Sequence, residues 1–391
     1  MSTDLLRPPR TTRRPPAVSR PTALVDVGAL RANTCAVVRA TRTPVMAVVK
    51  ADGYGHGALA LARAALAGGA SALGVTSIAE AVLLRHAGID VPVLSWLNSP
   101  AADFGDALRA RVDVAVPSPG HLRAVVDAAR RTGTTATIHL HADIGMSRDG
   151  AEEETWGRLC AEAGAAEAAG DVVVRGLMGH LGCADRAGRP TATADLDRFE
   201  RATRVARSAG LSPTVRHLGG TDAALHDPRA RLDMCRVGAG LVGIAPVGVP
   251  VGPAATLRPA LTLLAPVVGV REAAAGRRVG YGDAHVLARA TRLALLPVGY
   301  ADGIPRITTG RASVLLHGHR CPVVGLVSMD QVVVDVGALP VAAGDVAVVL
   351  GPGDDGEPTA RDWAGWARTI EHEIVTGIGP RVERHHVEED H

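Results

Sequence analysis

Between residues 44 and about 238, short β-branched apolar runs alternate with alanine-rich stretches whose apolar positions recur at helical spacing. The runs at 44–50, 72–76, 91–96, 112–116, 136–142, 172–180, 214–218 and 234–237 predict strands. The stretches between them, such as 56–68, 77–87, 119–131, 151–169 and 195–209, predict helices. This alternation implies parallel crossover units, and eight of them predict an α/β fold closed as a (β/α)8 TIM-type barrel rather than an open doubly wound sheet. One run, 22–27, is a ninth strand that the barrel does not need. Past the Pro246–Pro253 stretch the texture changes. Apolar runs at 262–270, 292–298, 312–316, 322–327, 331–336 and 346–350, separated by glycine turns, predict a mainly antiparallel β domain with one helix-like piece near 359–369.

The bulk composition narrows the class. At 391 residues one large or two ordinary domains are expected, and a net charge of +2 with interspersed signs favours neither a nucleic-acid groove nor an acidic partner. Five cysteines (35, 160, 183, 235, 321) lie far apart without a CxxC pair, which suits free thiols in a reducing, cytoplasmic compartment. Residues 1–20 are rich in arginine and proline and lack a signal peptide's apolar core; they read as a disordered basic arm. No run approaches the ~20 apolar residues of a membrane span. The pairs His139/His141 and His317/His319 have strand spacing, and the His385–His391 tail is polar, so no metal site is expected.

The chain has one lysine, Lys50, against 41 arginines. Arginine stays protonated and cannot attack an aldehyde, whereas an amine can. Lys50 closes the first barrel strand, where functional side chains of such barrels project, although a surface lysine in a turn would read the same way in isolation. On the same rim, Asp143, Met146 and Arg148 follow the fifth strand, His180 closes the sixth, His217-Leu218-Gly219-Gly220-Thr221 follows the seventh and Arg236-Val237-Gly238-Ala239-Gly240 the eighth. Glycine-rich loops after the last two strands suit a phosphate, though they also suit plain tight turns. Phosphate cradle, lysine and arginine together suggest pyridoxal 5'-phosphate. In a chain with so few aromatics, the three tyrosines, Tyr54, Tyr281 and Tyr300, each sit beside a glycine or one residue from it rather than in an apolar stripe. Core packing could account for one of them, but hardly for all three.

With these motifs in order, namely Val48-Val49-Lys50-Ala51-Asp52-Gly53-Tyr54-Gly55-His56-Gly57, Gly145-Met146-Ser147-Arg148, Gly179-His180 through Asp185, Arg236-Val237-Gly238, Gly280-Tyr281-Gly282, Gly299-Tyr300 through Gly303 and Ser328-Met329-Asp330-Gln331, the chain resembles the alanine racemase family over roughly residues 21–385. Beyond the basic arm at 1–20, the resemblance implies a strand at 21–27 that joins the C-terminal domain, a pyridoxal-phosphate barrel over 28–250 and a β domain over 251–391. It implies that Lys50 carries the cofactor and then serves as base, and that Tyr281 is the second base, reaching the substrate from the partner in a homodimer. Arg236 would face the pyridine nitrogen, with His180 bonded to Arg236. Tyr54, Thr221, the backbone of Gly238 and Ala239, and His372 would hold the phosphate. Arg148 and the Met329 backbone would orient the substrate carboxylate, Arg148 also touching the cofactor oxygen, with Tyr300 and Asp330 on the substrate side.

Four positions depart from the family pattern: His372 replaces a tyrosine, His141 a lysine seven residues before Arg148, Leu326 an arginine, and Gly219-Gly220-Thr221 an Ala-Asn-Ser stretch. The first two substitutions change donors, and Leu326 removes a charge near the entrance. Neutral drift and an altered substrate range both fit. The expected function is pyridoxal-phosphate-dependent interconversion of L- and D-alanine by two bases. The alternatives are a homologue acting on another small amino acid, a decarboxylase, or a non-catalytic cofactor-binding protein.

Overall fold

The computed structural model describes residues 15–182, 190–245 and 257–388. Most of the basic arm, Cys183, Asp185, the expected boundary at 250/251 and the terminal His391 lie outside the described residues. The described residues form two compact units: residues 28–258, and residues 259–388 together with 15–27.

In the first unit, eight parallel strands close into a barrel: β2 (Val45–Val48), β3 (Ala72–Val75), β4 (Val93–Ser95), β5 (Asp113–Val116), β6 (Ala136–His141), β7 (Val172–His180), β8 (Val215–Gly219) and β9 (Met234–Val237). Closure is made by β2 against β9, with Val45 opposite Cys235 and Ala47 opposite Val237. Strands covered by helices outside and side chains inside must be apolar on both faces, and every residue of β2, β3, β4 and β5 is buried. All eight expected strands form, each within about two residues of its expected ends.

The barrel interior is packed. Met46, Ala72, Leu94, Ala115 and Met178 form one layer against Trp96 and Met234. Large groups there require small neighbours: a Cβ on Gly74 would lie 2.5 Å from the Trp96 ring, and one on Gly176 would lie 2.1 Å from His139 Nδ1. Gly176 therefore makes room for a histidine inside the barrel.

The second unit is a nine-stranded sheet in the order β11-β12-β15-β14-β13-β16-β10-β1-β17. Its strands are β1 (Thr22–Asp26), β10 (Leu261–Pro266), β11 (Gly269–Ala273), β12 (Thr291–Leu296), β13 (Ser313–Leu316), β14 (His319–Val324), β15 (Val332–Asp335), β16 (Val346–Leu350) and β17 (Glu383–Val387). The surplus N-terminal strand β1 pairs antiparallel with β10, which explains its position before the barrel. The run at 262–270 divides into β10 and β11, because Pro266 ends the first strand. The segment around His385 and His386, polar in the sequence, forms β17 and pairs parallel with β1. The piece at 359–369 is the helix Ala360–Ala367, started by a capping box between Thr359 and Asp362. Among the described residues no helix is long and apolar enough to cross a membrane.

Candidate active site

The residues singled out from the sequence fall into two sets, one on each unit. Lys50, Tyr54, Arg148, His180, Thr221, Arg236, Gly238 and Ala239 belong to the barrel. Tyr281, Tyr300, Met329, Asp330 and His372 belong to the β unit.

Lys50 stands just after β2 and opens an unusual turn. Ala51, Asp52, Gly53 and Tyr54 have φ of 54°, 49°, 62° and 56°, a left-handed helical turn. For non-glycine residues this conformation costs roughly 1–2 kcal/mol each, so something must hold it. The Gly53 amide donates to Val49 O and the Gly55 amide to Ala51 O, at 3.0 and 3.1 Å. The Ala58 amide donates to Asp52 Oδ1 and the Ala51 amide to Glu80 Oε1, both at 2.9 Å. Glu80 is itself fixed, since it closes the capping box that starts the helix Ile78–His86. The strained turn delivers Lys50 and Tyr54 to the same end of the barrel.

Two cations and one carboxylate set the electrostatics around Lys50. Burial and Arg148 push its pKa below the ordinary lysine value, Arg236 adds to this, and Glu80 opposes it. Burial alone would raise the Glu80 carboxyl, but hydrogen bonds from Thr76, Ser77 and Ala51 outweigh it and leave the pKa lowered. His180 is brought down to about 3 by burial first and then by Arg236, Arg148, Lys50 and His141, so its ring is neutral.

Tyr54 is buried, and its ring runs against the loop after β9. A Cβ on Gly238 would lie 2.1 Å from the Tyr54 hydroxyl oxygen. In the neighbouring loop, the Gly240 amide donates to Thr221 Oγ1 at 3.1 Å. The phenol, the Thr221 hydroxyl and the glycine backbone after β9 thus converge, as a phosphate cradle needs.

Arg236 is buried, and burial followed by Arg148 lowers its pKa to about 9, which leaves it charged at neutral pH. The expected bond from His180 to Arg236 is replaced. Arg236 Nη1 donates to His217 Nδ1 at 2.7 Å and Nη2 donates to Gly179 O at 2.7 Å, while His180 only flanks the guanidinium. The chain of bonds continues through the barrel. His217 Nε2 lies 2.8 Å from His139 Nδ1, and His139 Nε2 lies 3.3 Å from Asp113 Oδ2, which also accepts from Arg175 Nη1 at 2.7 Å. Because arginine only donates, it fixes every tautomer in turn: His217 accepts at Nδ1 and donates from Nε2, and His139 does the same toward Asp113. The roles of His217 and His139 were not legible in the sequence, where His217 stood only at the start of a rim loop and His139 only in a pair at strand spacing. Among the described residues no group of side chains is arranged to hold a metal ion.

Arg148 is exposed on the loop after β6. Asp143 Oδ1 shapes that loop by accepting from the amides of Gly145, Met146 and Ser147 at 2.9, 3.0 and 3.2 Å. A small cleft there is lined by His141, Asp143, Met146, Arg148, Asp149 and His180 among others. Buried His141 lies 3.5 Å from the Asp149 carboxylate. Burial would raise the Asp149 carboxyl, but the His141 imidazole beside it and the Gly150 amide lower it overall.

On the β unit three loops back onto each other. Tyr281, 71 % exposed, sits between Gly280 and Gly282, both at positive φ. A Cβ on Gly325 would lie 2.7 Å from Val279 O, so these two loops are in close contact. The Tyr300 and Ala301 amides donate to Ser328 O and Met329 O, each at 3.0 Å, which ties the Tyr300 loop to the Met329–Asp330 loop. His372 is half-buried on the helix Glu371–Thr376, and Leu326 is half-buried behind the Tyr281 turn.

A parallel barrel with its one lysine at the mouth, followed by a β unit presenting exposed tyrosines, is the architecture of a two-domain barrel enzyme. The chain matches the alanine racemase N-terminal domain over residues 25–246 and the alanine racemase C-terminal domain over 260–386. It is 47 % identical over 371 residues to the alanine racemase of Frankia casuarinae, covering 94 % of this chain and 96 % of that one. The crystal structure of alanine racemase from D-cycloserine-producing Streptomyces lavendulae superposes with a TM-score of 0.92 at 42 % identity, covering 96 % and 98 % of the two chains. That of Bartonella henselae alanine racemase, described with covalently bound pyridoxal phosphate, superposes with a TM-score of 0.84 at 25 % identity, covering 95 % and 100 %. This chain belongs to the alanine racemase family and is an isomerase of that type.

Proposed function

We propose that this chain is a cytoplasmic, pyridoxal-phosphate-dependent racemase of small amino acids, alanine first among them, and that it works as a homodimer with shared sites. The observation that carries the reading is the single lysine at the barrel mouth, its pKa lowered by burial and by Arg148, beside a cradle of glycines, Thr221 and Tyr54. Four free cysteines among the described residues support a reducing compartment.

The residues fit the cofactor. A Cβ at Gly238 would fill the space beside the Tyr54 hydroxyl, and three cations near one carboxylate favour a dianionic ligand. Lys50 would hold it covalently, Tyr54, Thr221 and the Gly238–Ala239 backbone would hold its phosphate with His372, and Arg236 would face its ring nitrogen. When bound, pyridoxal phosphate supplies an aldehyde for the substrate amine and a ring that withdraws electrons from the α-carbon. Lys50, once released, takes the α-proton from one face, and its lowered pKa enlarges the neutral fraction at working pH. Tyr281 of the partner gives a proton to the other face, and its exposure on this chain supports a role beyond its own unit. Arg236, charged at neutral pH, would face the ring nitrogen and so disfavour a proton there. Its orientation is locked by His217 and Gly179. Arg148 and the Met329 amide bind the carboxylate, with Tyr300 and Asp330 beside them.

The test is α-proton exchange in deuterated water with each enantiomer of alanine, serine and larger amino acids, read by chiral chromatography and mass spectrometry. Interconversion of alanine with deuterium uptake is the expected result. Exchange or carbon dioxide release on a different amino acid alone would replace alanine as the substrate.

A further inference from the structure

Arg381 lies outside every motif that marks this chain, yet it joins the two loops that present Tyr300 and Met329. Its Nε and Nη2 donate to the two oxygens of Asp302, each at 3.0 Å, and its Nη1 donates to Asp330 Oδ1 at 2.7 Å. Asp302 is buried and closes the Tyr300 turn, because its Oδ2 accepts the Gly299 amide at 2.8 Å. The segment leading to Arg381 is pressed onto the same turn. The Gly379 amide donates to Asp302 O at 3.2 Å, and a Cβ on Gly303 would lie 2.5 Å from Gly377 O. A planar guanidinium suits this double task, since one edge grips a carboxylate in two bonds while another nitrogen reaches a second.

The arrangement has an electrostatic consequence. Met329 and Asp330 are adjacent, and the Met329 amide has no hydrogen-bond partner among the described residues. A carboxylate approaching that amide would meet the negative charge of Asp330, whose side chain is 60 % exposed. The bond to Arg381 offsets that charge and turns it toward the C-terminal segment. We infer that Arg381 is a positioning residue for substrate: it fixes the Tyr300 and Met329 loops against each other and neutralises Asp330, so that the Met329 amide can receive a carboxylate. This rests on the reading above in which Met329 orients the substrate carboxylate.

The experiment compares the cofactor-loaded wild type with Arg381→Gln, Arg381→Lys and the double variant Arg381→Gln/Asp330→Asn. Racemisation kinetics and calorimetric titration with acetate are measured at low and high salt. For Arg381→Gln, KM for alanine and the acetate dissociation constant should both rise about tenfold, with kcat changed by less than about threefold, the loss of one charge-assisted contact. Salt should shrink the difference, because Asp330 is exposed to screening. Adding Asp330→Asn should recover most of the affinity, which a purely structural defect would not permit. Arg381→Lys keeps the charge but loses the fork and should fall between, and it decides the matter if the glutamine variant does not fold. Wild-type KM and acetate binding in either single variant would overturn the inference, as would a fall in kcat alone. A wild type that binds acetate in an Arg381-dependent way but racemises nothing would refute the proposed reaction and leave the role of Arg381 standing.

Discussion

Gly238→Ala tests the phosphate cradle with one methyl group. The φ of Gly238 is −130°, outside the left-handed region that favours glycine. The main effect of the substitution is steric. The new Cβ would lie 2.1 Å from the Tyr54 hydroxyl oxygen and 2.7 Å from Cζ, far inside contact distance. Tyr54 follows three residues held in a left-handed turn, so the backbone there cannot slide and the ring must swing away. Overpacking of this kind costs about 1–3 kcal/mol of stability. If the phenol donates to the phosphate, losing that charge-assisted bond removes about 1.5–3 kcal/mol of binding, roughly a 10- to 150-fold rise in the cofactor dissociation constant. The assay is titration of apoprotein with pyridoxal phosphate, followed by absorbance and protein fluorescence, beside thermal unfolding of the same samples. Tyr54→Phe is the companion, because it keeps the ring and removes only the hydroxyl. Both variants should bind cofactor more weakly by similar factors, with only Gly238→Ala losing stability. Wild-type cofactor affinity in a destabilised Gly238→Ala would refute the cradle and leave Tyr54 as packing alone.

Three further outcomes follow from the same geometry. Tyr281→Phe should lose most racemisation, by at least about a hundredfold, while retaining bound cofactor, since general acid–base groups contribute 10²–10⁴; absorbance and chiral product analysis read the two effects, and unchanged turnover would remove Tyr281 from the chemistry. His217→Phe should destabilise the barrel by roughly 3–5 kcal/mol in denaturant titration, because it leaves the buried Arg236 charge short of a partner and the His139 nitrogen unmet; a stability equal to wild type would show that the histidine chain does not support Arg236. On acidification, His180 and His217 stay neutral in the fold, with His180 titrating only near 3, whereas unfolded histidines take protons below about 6.5. The unfolded state then binds more protons, so stability present above pH 6.5 is lost as pH falls toward 3, at up to about 1.4 kcal/mol per unit per histidine. Unfolding midpoints from pH 7.5 to 4.5 measure this, and a flat profile would contradict the burial assigned to both rings.

Much of the fold is legible along the chain because its strands are buried on both faces. Four-residue runs such as Val45–Val48 and Ala72–Val75 have no polar side to confuse with a helix, and alanine-rich helices separate them. The errors sit where tertiary pairing overrides local pattern. Glu383–Val387 contains two histidines and a glutamate and carries no apolar alternation, yet it forms a strand because β1 offers it an open edge. The run at 262–270 looks continuous, and only the proline at 266 marks where it breaks.

The site was legible to the extent that its chemistry depends on rare residue types. In a chain that uses arginine for every other cation, one lysine cannot be explained as routine surface charge, and three tyrosines beside glycines stand apart from a core built without them. The supporting groups were hidden for the opposite reason. His139 and His217 are separated by 78 residues and meet only because β6, β7 and β8 bring them inside the barrel, where Gly176 leaves the space. Arg381 is one of 41 arginines, and nothing in its neighbours distinguishes it. Replacing lysine by arginine also has a chemical effect at the mouth. Arg148 and Arg236 hold positive charge there without offering a second nucleophile, and His180 and His217 are kept neutral by burial. Among the basic groups gathered there, Lys50 alone combines a lowered pKa with a nucleophilic amine, so under the proposed function acid–base chemistry and covalent attachment would fall to the same atom.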